Sequence, residues 1–440
     1  MGMMFIDSIL EVKKSSGRLV VLDGMRSVAC LAVLLHHIVF HVVLPTHWSG
    51  FWVPSGKFQE LLVALLSFGE WAVIPFFLLS GFLLFLPFVG SFLFDERRPS
   101  FLRFYIRRFF RIIPGYYAAI ILMVIFLYPE FLQVEKREQL LSFFLFQFPE
   151  YLSGPFWTLV VEFQFYLILP FIVWIMSFIV CWGSIRFRIV KLVSLLIGLV
   201  AWGLIVRWSE LLLQPAVFLP GKYFECFGIG MLLSVFYVYT QHVEREGVFV
   251  KWFRRFSFWI FLFGLFWVSV FSIFCFFVIH SQFAGGFPSF ISQIVFFYQI
   301  YLGWESFGFA LCYGLCFWAL LYNVGRLRRL FEWSILRWIG SFSFSLYMWH
   351  LPLLFLFMDI MSSQMSGVAL GVHFVALVGW VVFVIFPVSI IFYRWVEMPG
   401  MWLGGMVINV AGTIHFVQKY IKPINDLLKY LKEQKKQKKR

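Results

Sequence analysis

The first apolar segment of this 440-residue chain carries an arginine and histidines. Residues 22–41 read LDGMRSVACLAVLLHHIVFH, and at about 100° per residue Arg26 and His37 share one helix face, about 16 Å apart. Ionisable groups are costly at bilayer depth and usually mark a working site. His37 can act as a general base and Arg26 can bind an anion, whereas His36 and His41 are explained at least as well by packing.

A lone carboxylate stands in a second apolar segment, SGPFWTLVVEFQFYLILP, residues 153–170. Glu162 is followed four residues later by Tyr166 on the same helix face. An unpaired carboxylate would be expensive there, so we expect Glu162 to hold one nitrogen of His37 and leave the other as the base. The alternative is a structural Glu162 bonded to a tyrosine or a tryptophan indole.

Three arginines precede the third apolar segment, in FLRFYIRRFFRIIPGYY, residues 101–117. Arg107, Arg108 and Arg111 are spaced three and four residues apart, so their guanidiniums can form one cluster at the membrane face. Guanidinium geometry suits bidentate binding of phosphate. Taken alone, the cluster is explained somewhat better by ordinary positive charge at the cytoplasmic face, together with contacts to lipid headgroups.

A further histidine lies mid-segment in WIGSFSFSLYMWHLPLLF, residues 338–355. We expect His350, with Tyr347 one turn below it, to share a polar cavity with His37, although a structural histidine is an equally good interpretation. Ser80 and Gly81 predict a close helix approach. In YRWVEMP, Arg394 and Glu397 are interpreted as a cytoplasmic cap pair. No ligand set for a metal accompanies His37 and His41.

The composition predicts an all-α polytopic membrane protein. Hydrophobic residues make up 62% of the chain and charged residues 13%, and the mean hydropathy is +0.88. These values lie far outside the range that is typical of soluble globular domains. About ten segments are long enough to span a bilayer: 27–44, 71–94, 113–129, 157–181, 190–206, 221–240, 257–280, 300–322, 339–358 and 369–393.

The positive charges predict the topology. With the N-terminus in the cytoplasm, 31 of the 36 Lys and Arg residues fall in cytoplasmic segments, as the positive-inside rule requires. Both termini are therefore expected in the cytoplasm, with a short segment 1–20, a membrane domain 21–398 and an interfacial, basic tail 399–440. The net charge of +14 is then explained by the topology and by anionic lipids that the Lys-rich tail binds. A nucleic-acid partner is not expected. A Gly-rich eleventh span after residue 400 is the less favoured alternative.

Five motifs, in this order, resemble the acyltransferase-3 family of integral membrane acyltransferases, over roughly residues 20–400. They are Asp23, Gly24, Arg26 and His37; Phe76 to Leu83; Arg107, Arg108, Arg111 and Pro114; Trp157 to Tyr166; and Ser343 to Pro352. Small departures are Thr158 in place of Ser, His36 in place of Tyr, and Met25 and Ser27 beside Arg26. Some relatives carry an extra hydrolase-like domain, which this chain is expected to lack.

The resemblance implies a reaction and a location. Acyl-CoA, acetyl-CoA above all, would dock from the cytoplasm with its phosphates on Arg107, Arg108 and Arg111, and an envelope glycan or glycolipid would accept the acyl group on a hydroxyl. The membrane would be the bacterial cytoplasmic (inner) membrane. The predicted catalytic residues are His37, Glu162, Arg26, His350 and Tyr347, and the predicted substrate-binding residues are Trp157, Tyr166 and Asp23.

Within that scheme His37 is oriented by Glu162, and Tyr347 or His350 stabilises the oxyanion. Direct transfer and an acyl-histidine intermediate both remain open. The main alternative is a transporter or exporter of a small anion or lipid-linked sugar, although the internal repeat common in transporters is missing. A structural scaffold would not explain charged residues in several spans.

Overall fold

The computed structural model describes residues 19–43, 57–136, 138, 156–213, 221–243, 247–281, 304–323, 325–364 and 370–416. Across these ranges the regular structure is helical, and no strand occurs in them. The expected all-α membrane architecture is confirmed. The orientation of the termini stays a prediction, and the lysine-rich residues after 416 lie outside the described ranges.

Fifteen α-helices occur in the described ranges. In chain order they are α1 Val21–His37, α2 Lys57–Leu66, α3 Ile74–Leu93, α4 Phe101–Phe126, α5 Phe156–Val180, α6 Ile185–Leu213, α7 Phe224–His242, α8 Val248–Ser281, α9 Glu305–Tyr322, α10 Arg326–Phe331, α11 Ser334–Ser341, α12 Ser343–Gln364, α13 Leu370–Trp380, α14 Phe386–Phe392 and α15 Met398–Phe416.

Nine helical stretches in the described residues are long and apolar enough to cross a membrane, against about ten expected. The expected sixth span, 221–240, corresponds to α7, a 19-residue helix that carries Glu225 and His242 and falls outside those nine. The last stretch, Gly371–Val410, is 40 residues long. At 1.5 Å per residue it measures about 60 Å, roughly twice the hydrocarbon thickness.

Helix α3 lies in the centre of the bundle and crosses α7 at close range. A Cβ atom at Gly81 would lie 2.2 Å from the carbonyl oxygen of Phe227, and one at Gly230 would lie 2.2 Å from that of Leu78. Only glycine permits this backbone approach, as in other tightly packed membrane helices. The close approach predicted from Ser80 and Gly81 is confirmed.

Replacing Gly81 by alanine is therefore expected to destabilise the protein. The new methyl group would push α3 from α7 and cost about 1–3 kcal/mol. Thermal unfolding in detergent, followed by size-exclusion chromatography, measures the loss. Gly198→Ala on α6 is the matched control, because its Cβ would meet nothing within 4 Å. Equal melting temperatures for the two variants would contradict the tight crossing.

Two π-helical turns, Val381–Ile385 and Tyr393–Glu397, interrupt the long C-terminal helix. π-Turns in helices are rare and frequent at functional sites. The second turn ends at Glu397, which is only 1% exposed, while Arg394 is exposed. The interpretation of these two residues as a cytoplasmic cap pair is therefore wrong: Glu397 faces the interior of the bundle.

Candidate active site

Two imidazoles from different helices meet inside the bundle. His37 is the last residue of α1, where a π-turn from Ile38 to Val43 follows, and His350 lies in α12 and is 1% exposed. The Nε2 atom of His350 is 3.2 Å from Nδ1 of His37. The expected approach of His350 to His37 from another helix is found, but neither histidine lines the arginine-walled cavity described below.

The backbone partners of the two rings assign their tautomers. Nδ1 of His350 lies 2.7 Å from the carbonyl oxygen of Tyr347, and because a carbonyl only accepts, this nitrogen carries the proton. The Nε2 atom of His350 is then an acceptor. Nδ1 of His37 faces that acceptor and the carbonyl oxygen of Val33, at 2.9 Å, so it is also protonated. The remaining nitrogen, Nε2 of His37, is the basic atom of the pair.

Glu162 is bonded elsewhere. Its Oε1 accepts hydrogen bonds from the hydroxyl of Tyr166, at 2.5 Å, and from Ser80 of α3. The expected pairing of Glu162 with His37 is wrong, since in this structure the partner of His37 is His350. The alternative interpretation, a carboxylate bonded to a tyrosine, describes the contact found.

A cavity of about 60 Å³ opens beside Glu162. Its charged walls come from three helices: Arg26 of α1, Arg108 and Arg111 of α4, and Glu162 of α5. The guanidinium of Arg108 lies 5.6 Å from the ring centre of Tyr166. The remaining lining residues are Phe76, Phe77, Ser80, Ile112, Thr158, Leu159, Tyr166, Ser343, Phe344 and Tyr347.

The predicted arginine cluster is thus divided. Arg108 and Arg111 face the cavity together with Arg26, whereas Arg107 is exposed and does not line it. The angle around the helix does not account for this, because Arg107 and Arg111 are only about 40° apart on α4; Arg107 lies one turn, about 6 Å, nearer the start of the helix, where its side chain is exposed.

Buried acids balance the three cavity arginines. Asp23, 5% exposed, and Glu162 both lie within electrostatic range of Arg26. Glu397 lies within range of Arg111 and Arg26 and accepts a hydrogen bond from Ser345 at 2.8 Å. Sequence reasoning missed the role of Glu397. An acid inside a 40-residue apolar stretch was the signal that could have revealed it.

Tyr347 connects the cavity with the histidines. Tyr347 is one of the cavity-lining residues. Its hydroxyl accepts a hydrogen bond from Thr158 at 3.0 Å, and its ring centre lies 5.6 Å from that of His350. The hydroxyl hydrogen of Tyr347 is then free to be donated to another group. Trp157, predicted to bind substrate, does not line this cavity and packs against Tyr223 instead, with 5.3 Å between ring centres.

Metal ligands are not grouped in the part of the chain that the structure describes: no three His, Cys, Asp or Glu side chains come together there. The groups present are instead a neutral imidazole pair, a tyrosine hydroxyl and a set of paired charges. These groups can move a proton, stabilise an oxyanion and bind an anion.

This architecture defines a polytopic integral membrane protein with a charged, polar centre buried among its helices. The family model described as acyltransferase domain matches residues 19–394, and the chain belongs to this family, acyltransferase-3. It is also similar to the peptidoglycan O-acetyltransferase OatA of Listeria monocytogenes, with 25% identity over 402 residues. The aligned region is 86% of this chain and 55% of that protein, so the chain spans about half the length of this curated relative. No solved structure matches the chain.

Proposed function

We propose that the protein is an O-acyltransferase that moves an acyl group, most simply acetyl, from acyl-CoA to a hydroxyl of a cell-envelope carbohydrate or glycolipid. The observation that carries the proposal is the basic Nε2 atom of His37, held by His350 beside a tyrosine hydroxyl and an arginine-lined cavity. Membership of an acyltransferase family supports the reaction class. The expected cellular location is the cytoplasmic membrane of a bacterium.

The proposed reaction begins with proton transfer from the acceptor hydroxyl to Nε2 of His37. The acceptor oxygen attacks the thioester carbonyl, a carbon–oxygen bond forms and the carbon–sulfur bond breaks. The thiolate of CoA leaves and takes the proton from His37. During this step the lone pair on Nε2 of His350 stabilises the imidazolium, in the position that a carboxylate occupies in a catalytic triad.

Tyr347 is the proposed oxyanion donor. Because Thr158 donates to the oxygen of Tyr347, the hydroxyl proton of Tyr347 can point to the negative charge that develops on the thioester oxygen. His350 cannot fill this role, since its Nε2 is an acceptor and its Nδ1 is bonded to backbone carbonyl oxygens. An acyl-histidine intermediate would use the same Nε2 atom of His37, so both routes fit the geometry.

Acyl-CoA, the proposed donor, binds through Arg26, Arg108 and Arg111. Its phosphates replace part of the electrostatic contact that these arginines make with Glu162 and Glu397. Arg107, at the exposed face of α4, can still reach a peripheral phosphate through solvent. Asp23 positions Arg26, and Tyr166 fixes Glu162. The proposed acceptor is an envelope glycan. The relative OatA is named as a peptidoglycan O-acetyltransferase, and we propose a related envelope polymer as the acceptor of this protein.

Charge-neutral substitutions in the arginine set test the donor site. Arg108→Gln and Arg111→Gln should each raise the KM for acetyl-CoA about tenfold or more, because a buried charge-assisted bond is lost. Arg107→Gln should change it less than about threefold, since exposed charges are screened. The measurement is acetyl-CoA titration of the purified protein in nanodiscs. Equal effects at all three positions would contradict the assignment, and failure of the wild type to bind acetyl-CoA would refute the donor.

A further inference from the structure

A second buried polar cluster lies behind the cavity wall, outside the residues used so far. It consists of Arg207 on α6, Tyr223 and Glu225 at the start of α7, and Ser306 on α9; we call it the Arg207–Glu225 cluster. Glu225 is fully buried, at 0% exposed. Its Oε1 accepts a hydrogen bond from Ser306 at 2.5 Å, while its Oε2 is buried without a hydrogen-bond partner.

The cation of the cluster is also incompletely bonded. The guanidinium of Arg207 lies 4.9 Å from the ring centre of Tyr223, and its Nη1 is buried without a hydrogen-bond partner. Glu225 is within electrostatic range of Arg207, yet no salt bridge joins these two described side chains. A buried N–H donor and a buried carboxylate oxygen are each costly in free energy when left unbonded. A structural ion pair would have satisfied both.

The backbone at Tyr223 is strained. Its φ of +66° is left-handed, a conformation that costs a bulky residue free energy and tends to occur at functional sites. The strained backbone holds the Tyr223 ring 5.3 Å from Trp157 and 5.1 Å from Phe77. Phe77 lines the cavity and Trp157 precedes Thr158, the hydrogen-bond donor to Tyr347. The cluster therefore borders the reacting groups through one aromatic layer.

We propose that the Arg207–Glu225 cluster is the subsite for the sugar ring of the acceptor. A sugar hydroxyl can donate to Oε2 of Glu225 and accept from Nη1 of Arg207, which meets both unfilled requirements with one group. The apolar face of the ring would pack on Tyr223 and Trp157. A simple anion would be repelled by Glu225, and a lipid tail would leave both polar atoms unbonded. The inference rests on the proposed function, because it supplies the carbohydrate for that reaction.

Sugar binding by full-length protein in nanodiscs tests the subsite. The probe is the tritiated disaccharide N-acetylglucosaminyl-N-acetylmuramic acid, used in equilibrium binding and, with acetyl-CoA, in a transfer assay. Arg207→Gln and the isosteric Glu225→Gln should each raise the Kd and the KM for the disaccharide about tenfold, with the KM for acetyl-CoA unchanged. Arg186→Gln, which alters an exposed arginine on the same helix, is the matched control and should leave all three constants unchanged.

The outcomes separate the subsite from the activity. A disaccharide Kd within about twofold of wild type in a Glu225→Gln protein with an unchanged melting temperature would overturn the subsite, and so would a wild type that binds no disaccharide. If Arg207→Gln fails to fold, the result for Glu225→Gln decides. Binding that weakens as expected, with no transfer by the wild type, would support the subsite and refute the proposed function. Acetyl transfer by the wild type, with a KM for the disaccharide that neither substitution changes, would support the proposed function and refute the subsite.

Discussion

Replacement of His37 by glutamine should abolish acyl transfer while leaving donor binding intact. The substitution removes the basic Nε2 atom and keeps a polar side chain of similar length, so the donor site around Arg26, about 16 Å away along α1, is preserved. Loss of a general base lowers kcat by about 10²- to 10⁴-fold. The measurement is transfer of labelled acetyl to glycan by purified protein, with acetyl-CoA binding measured in parallel.

His36→Gln is the control for His37→Gln. His36 precedes His37 on α1 and stacks on Phe40, with 4.6 Å between ring centres, so the packing interpretation predicts a change in kcat of less than about threefold. A His37→Gln protein that retained wild-type kcat would contradict the role of His37 as base. Equal losses in both variants would point to damage of the helix instead.

His350 should behave as the positioning residue of the base. His350→Leu removes the acceptor for the N–H of His37, which leaves the ring poorly oriented and its charged form less stable, and kcat should fall about 100-fold. His350→Gln offers a carbonyl oxygen in a similar place and should recover about tenfold of that loss. The measurement is kcat and KM for both substrates with each variant.

A purely structural His350 would give a different pattern. The two substitutions would then lower the melting temperature and the activity in parallel, without rescue by glutamine. If His350 were the oxyanion donor, glutamine could also supply an N–H, but Tyr347→Phe would then be harmless. In the proposed arrangement Tyr347→Phe lowers kcat by itself, because it removes the donated hydroxyl proton.

The sequence revealed the residue types of the site better than their pairing. Spacing along one helix correctly predicted that Tyr166 lies one turn from Glu162, where the two side chains form a hydrogen bond. It could not predict which helix lies opposite, so Glu162 was matched with His37 although Ser80 and Tyr166 bind it. Helix packing decides such pairs, and hydropathy carries little information about it.

The C-terminal segment shows the same limit. Charge and hydropathy placed its last span at 369–393 and put Glu397 at the membrane surface. The structure continues the helix to residue 416 and inserts a π-turn that directs Glu397 towards Arg111. A π-turn adds a residue to a helical turn and rotates every side chain after it. An acid in an apolar stretch could have singled out Glu397, but the inward direction of its side chain depends on a π-turn that a 3.6-residue period does not predict.

The central claim, that His37 catalyses acyl transfer inside the membrane, is tested most directly with wild-type and His37→Gln protein in proteoliposomes. Both receive acetyl-CoA labelled in the acetyl group and a mixture of envelope glycans. The account predicts label in a base-labile ester on the glycan with wild type only, and CoA binding by both proteins. Absence of CoA binding at millimolar concentration, together with passage of label or sugar across the membrane, would contradict it and favour a transporter.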